Sequence, residues 1–173
     1  MSQYALWLTS LGESHDHLAQ LIHQLSEQYR GPSFEPHITL LGGIQGDEPA
    51  MGEKVRRLGE TLCPIATDLQ WPACEEEYFR CLYFPVKATP AILDAHEQAK
   101  VILGKSSDSP FSPHVSLLYG VFPIQIKQDI IATLPSDLPQ QFLVSELKLI
   151  RVESLNPRDW HLVETISLQG PAG

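Results

Sequence analysis

His37 and His114 are the residues best suited to chemistry near neutral pH, because each stands in a near-copy of one decapeptide with a hydroxyl two positions on. The copies are Phe34-Glu35-Pro36-His37-Ile38-Thr39-Leu40-Leu41-Gly42-Gly43 and Phe111-Ser112-Pro113-His114-Val115-Ser116-Leu117-Leu118-Tyr119-Gly120, offset by 77 positions. In an extended strand alternate side chains share a face, so His37 points with Thr39 and His114 with Ser116, while Ile38 and Val115 point away. An unperturbed imidazole titrates at about 6.5, so one protonated and one neutral histidine make an acid and base pair. On opposite sides of a phosphorus atom, one takes a proton from water and the other gives one to the departing oxygen, each worth about 10² to 10⁴ in rate. The hydroxyls suit donation to the non-bridging phosphoryl oxygens, where negative charge grows. This scheme needs no metal and no cofactor.

The same offset reaches beyond the decapeptides. Tyr4 to Thr9 reads as a buried strand, and Leu18, Leu21, Ile22 and Leu25 follow Ser14 at helical spacing until Gly31-Pro32. Shifted by 77, Cys81 to Val86 matches the strand, pairing Trp7 with Phe84. Pro90 to Leu103 matches the helix, closed by Gly104. Two strand, helix, strand units at about 4–43 and 81–120 thus predict internal two-fold pseudosymmetry within one bilobal domain over 1–173. Gly42-Gly43 is expected to end the first motif strand. Between and after the units come a helix over 48–62, a strand over 65–71, a helix over 124–134, and strands over 142–153 and 160–168 with a turn at Asn156 to Asp159. The class is α+β. The last residues, 170–173, look loose.

Composition narrows the function classes. A chain of 173 residues that is 43% hydrophobic buries a core without staples. Cys63, Cys74 and Cys81 lack metal-ligand spacing and read as small buried apolar residues in a reducing compartment. The Met-Ser-Gln-Tyr start lacks a signal-peptide pattern and no apolar run spans a bilayer, so a cytoplasmic monomer with no membrane partner is expected. A net charge of −9 argues against long nucleic acids, whose binding rests on many Lys and Arg contacts to phosphates. A small anionic substrate remains open, provided that positive charge is local to its site.

Two His-x-Thr/Ser motifs with matched flanks resemble those of the 2H phosphoesterase superfamily. Phe-Glu-Pro-His-Ile-Thr-Leu, the Arg80-Cys81-Leu82-Tyr83-Phe84 strand and Pro-His-Val-Ser-Leu-Leu-Tyr together resemble its small cyclic nucleotide phosphodiesterases of plant and yeast type, over nearly the whole chain. The resemblance implies a two-lobed fold with antiparallel sheets facing across a cleft and helices outside. It implies hydrolysis of 2′,3′-cyclic nucleotides or of ADP-ribose 1″,2″-cyclic phosphate to monoesters, with His37, Thr39, His114 and Ser116 as the catalytic set. His114 would activate water and His37 would protonate the leaving 3′ oxygen. Thr39, Ser116, Tyr119 and Trp7 are the expected substrate-binding residues, the partner being a small cyclic-phosphate nucleotide. The disulfides of the plant members are not expected, since three cysteines cannot form two bridges.

Tyr119 stands where the first copy has Gly42, yet strict alternation places Leu118 on the catalytic face, so only a bend or bulge near Gly120 brings Tyr119 in. Trp7 and Phe84 are aromatic positions of the opening strands, able to pack in the core or stack on a base. His15, His17, His23 and His96 read as solvated helix positions. His161 could approach the cleft, and Glu75-Glu76-Glu77 reads as a solvated turn. Two other readings stand beside the phosphodiesterase: a 2′-5′ RNA ligase-like enzyme of the same superfamily, and a non-catalytic nucleotide-binding or interaction module on the same scaffold.

Overall fold

The structure, a computed structural model, describes residues 2–106 and 109–170. Residues 171–173, part of the expected loose tail, lie outside the described residues, whereas Gly170 is buried and donates its N–H to the Leu62 carbonyl. In chain order the elements are β1 (Gln3–Ser10), α1 (Glu13–Tyr29), β2 (Ile38–Gln45), α2 (Glu48–Thr61), β3 (Ile65–Asp68) and β4 (Leu82–Pro85). They continue as α3 (Pro90–Leu103), β5 (His114–Leu118), α4 (Ile124–Thr133), β6 (Gln141–Val152) and β7 (Trp160–Ser167), with short 3-10 turns over Tyr78–Arg80 and Pro157–Asp159.

The α+β class is as expected. All seven strands belong to one antiparallel sheet in the order β3-β6-β1-β2-β5-β4, with β7 beside β3 along the far edge of long β6. The two motif strands β2 and β5 share one registered pair, Ile38 opposite Val115. Both residues are essentially inaccessible. Each helix of a repeat unit leans on the motif strand of the other unit, α1 on β5 and α3 on β2.

The register shows why a shift of 77 holds for the motif strands and fails by one for the strands that open the units. Leu6 faces Leu41 while Trp7 faces Thr39, which leaves Leu40 as an extra residue. Leu82 faces Leu118 while Tyr83 faces Ser116, which leaves Leu117 extra in the same way. The counterpart of Trp7 is therefore Tyr83, and Phe84 belongs to the hydrophobic core. Both opening strands are so apolar that hydropathy reads alike in either register.

Several expected boundaries also move. Gly42-Gly43 does not end β2, which pairs on to Gln45, and β3 stops at Asp68. Helix α1 begins at Glu13 with Gly12 as its cap and closes on Arg30 in the left-handed region. Cys81 is buried and Cys74 partly so, but Cys63 is exposed. His96 is not on a solvated face: it is buried, its Nδ1–H donates to the Leu40 carbonyl at 2.7 Å, and its ring stacks on Phe111 at 4.0 Å.

Candidate active site

A cavity of about 370 Å³ opens where β2 and β5 meet, and its wall brings together His37, Thr39, His114 and Ser116. His37 directly precedes β2 and His114 opens β5, each following a proline that favours an extended chain. Each imidazole is held by the carbonyl two residues back: His37 Nδ1–H donates to Glu35 at 2.7 Å and His114 Nδ1–H to Ser112 at 2.9 Å. A carbonyl only accepts, so Nδ1 carries hydrogen in both rings and Nε2 is the nitrogen left for proton transfer.

The two environments differ. His37 is buried and lies flat against Trp7, centroids 3.7 Å apart and planes 9° apart. Burial pushes its pKa down to about 4, helped by the charges of His114 and Lys148 and opposed by the bond to Glu35. His114 meets Tyr83 edge-on at 5.2 Å and is only partly buried. Its pKa is also lowered, first by burial and then by Arg80, while the Ser112 bond and Glu75 oppose the shift. Both free imidazoles are thus neutral at neutral pH.

The hydroxyls differ as well. Thr39 Oγ1 has no hydrogen-bond partner among the described residues, whereas Ser116 Oγ donates to the Phe79 carbonyl at 2.9 Å. Tyr119 lines the cavity after all. An extra residue in a strand inverts the alternation beyond it, so the bulge at Leu117 returns Tyr119 to the face of Ser116, as that at Leu40 returns Gly42 to the face of Thr39. Tyr119 is held by a 3.8 Å stack on Phe34 of the first motif, and burial pushes its hydroxyl pKa up, so it stays a donor. Trp7 also lines the cavity, but one face of its indole is occupied by His37.

Glu77, Phe79, Arg80 and Trp160 also line the cavity, and none is marked as a site residue by the sequence. Only long-range pairing brings them in. The bridge of Ala73 to Tyr83 folds the segment between them over the cleft, and β7 delivers Trp160. Glu75 is accordingly no solvated turn residue, since it accepts from the Tyr83 hydroxyl and pairs with Arg80 at 2.8 Å. His161 pairs with Glu153 outside the cavity. His15 lies 3.8 Å from Glu35 with Nδ1 buried, while His17 and His23 face Glu13 and Glu27 on the surface of α1. Among the described residues no three such side chains are grouped to hold a metal ion, and no helix is long and apolar enough to cross a membrane.

Crystal structures of TT0787 of Thermus thermophilus and of Escherichia coli LigT complexed with 3′-AMP share the fold. The first is 20% identical with TM-score 0.66, covering 97% of this chain and 98% of its own. The second is 11% identical with TM-score 0.62 and the same coverage. At these identities the likeness establishes the shared fold. The family described as cyclic phosphodiesterase-like protein matches residues 1–168. A cyclic phosphodiesterase of Arabidopsis thaliana is 24% identical over 159 residues, 87% of this chain and 86% of the relative. This chain belongs to the cyclic phosphodiesterase-like family and is an enzyme of the phosphodiesterase type.

Proposed function

We propose that this enzyme opens cyclic phosphodiesters of small nucleotides, 2′,3′-cyclic nucleotides and ADP-ribose 1″,2″-cyclic phosphate among them, to phosphomonoesters. The observation that carries the reading is the pair of imidazoles on one cavity, each with its tautomer set by a carbonyl two residues back. His114 Nε2 takes a proton from water as the water oxygen bonds to phosphorus. The bond from phosphorus to the leaving ester oxygen breaks, and His37 Nε2–H gives that oxygen its proton. His114 Nε2 then releases its proton to solvent and His37 Nε2 takes one up, which restores the starting protonation state.

With both free imidazoles neutral, the working proton is taken up from solvent as the substrate binds, because a phosphate anion beside them favours one imidazolium. A lowered pKa makes His37, once protonated, a stronger donor than an ordinary imidazolium. Thr39, Tyr119 and, after rotating from Phe79, Ser116 donate to the non-bridging oxygens. Incubating the enzyme with 2′,3′-cyclic nucleotides and with ADP-ribose cyclic phosphate in chelator, read by phosphorus NMR, should show conversion to a monoester. His37→Ala and His114→Ala should each slow it by about 10² or more. Absence of product from every cyclic phosphate, or full activity in both variants, refutes the reading.

A further inference from the structure

A second basin of about 540 Å³ adjoins the catalytic cavity and shares Phe79 and Leu155 with it as a common wall. It is also lined by Arg30, at the end of α1, and Arg158, in the 3-10 turn before β7. The chain has six arginines. Arg56, Arg57, Arg80 and Arg151 each pair with a glutamate. Among the described residues the two arginines without a carboxylate partner are Arg30 and Arg158, and both line this basin, whose lining holds no acidic residue. In a chain of net charge −9 that is a local reversal of sign.

The backbone adds an independent observation. Arg30 caps α1 at φ 55°, and it is the one non-glycine residue with positive φ among those described. Helix α3 of the second unit ends in the same conformation with Gly104. Glycine adopts this conformation without steric cost and a Cβ-bearing residue does not. The first unit thus carries a guanidinium where a glycine would cost the fold less, and such strain points to a use for the side chain. The backbone of Arg158 is held in turn, its N–H donating to the Asn156 side chain at 3.1 Å.

We propose that this basin is a second anion subsite. It receives the 5′-phosphate or pyrophosphate of a nucleotide whose cyclic ester lies between His37 and His114, with the nucleoside passing over Phe79 and Leu155. The proposal rests on the cyclic phosphodiesterase reading for the position of the ester, and it names the substrate class as nucleotides with a second phosphoryl group.

The test compares adenosine 2′,3′-cyclic phosphate, the same compound with a 5′-phosphate, and ADP-ribose 1″,2″-cyclic phosphate as substrates of wild type and of the Arg30→Gly, Arg158→Ala double variant. For the two substrates with a second phosphoryl group KM should rise about tenfold or more with kcat unchanged, as expected for loss of charge-assisted phosphate contacts. The 5′-phosphate and pyrophosphate arms show which group the basin takes. The simple cyclic nucleotide should change less than about twofold. Binding of ADP and of adenosine, followed by calorimetry, gives a readout that needs no turnover: wild type should favour ADP, and the variant should lose that preference. Equal effects on all substrates, or equal binding of ADP and adenosine by wild type, overturn the subsite. Failure of wild type to hydrolyse any cyclic phosphate would instead overturn the function, with the ADP comparison still deciding the subsite. An equally large gain for a cyclic-phosphate end on an oligonucleotide would overturn the small-nucleotide assignment. Glycine suits the backbone at position 30, so the thermal midpoint of Arg30→Gly should not fall.

Discussion

At the scale of single residues, the cleft is most informative where its two halves differ. His37 is buried under an indole, while His114 is partly open and bordered by an arginine and a glutamate. In the proposed mechanism the productive form of the free enzyme carries one proton on the pair, and both pKa values lie below the ordinary 6.5, that of His37 at about 4. A plot of kcat/KM against pH should therefore be bell-shaped with its maximum on the acid side of 6.5. The kcat profile should lie at higher pH, since a bound phosphate anion favours the imidazolium. A kcat/KM maximum above pH 7 would contradict these environments. The hydroxyls should also separate. Thr39, free of partners, is ready to donate to substrate, so Thr39→Ala should lower kcat by about 10². Ser116 already gives its proton to Phe79, so Ser116→Ala should cost less in kcat and more in stability, about 1 kcal/mol by chemical denaturation.

The element scale explains what could be read in the sequence. His37, Thr39, His114 and Ser116 were legible because two matched strands with period two fix which side chains share a face. Tyr119 was legible only as a question, because a bulge is a count of residues against a partner strand, and the partner's register is not written locally. That limit also paired Trp7 with Phe84 in place of Tyr83. His96 was misread for another reason: its helix packs on β2 of the other unit, and periodicity within one helix does not reveal a carbonyl waiting across that interface. Replacing it by leucine removes a partner of the Leu40 carbonyl and the stack on Phe111. We expect His96→Leu to lose about 1–3 kcal/mol in urea unfolding while kcat stays near wild type, since the ring does not line the cavity.

Across the whole molecule, burial of His37 links the site to folding. Its folded pKa is depressed to about 4 from about 6.5, so between those values the unfolded chain binds more protons and stability rises with pH. This contribution, about 3 kcal/mol, is complete above about pH 6.5 and is lost as pH falls to 4 and below. Unfolding midpoints measured at pH 7 and pH 4.5 should differ more for wild type than for His37→Gln, whose side chain does not titrate. Equal differences would place the acid sensitivity elsewhere.

The seam between the halves of the sheet is the single pair Ile38 and Val115, and each of these residues directly follows one of the two histidines. One rung of backbone ladder provides little stiffness. Crossed helix packing, α1 braced on β5 and α3 on β2, therefore sets the span between the imidazoles. The gauge of the cleft is thus set by side chains on its outer faces, and a substitution in a helix that never lines the cavity can still widen or narrow the gap between the imidazoles, where the proposed reaction places the phosphorus.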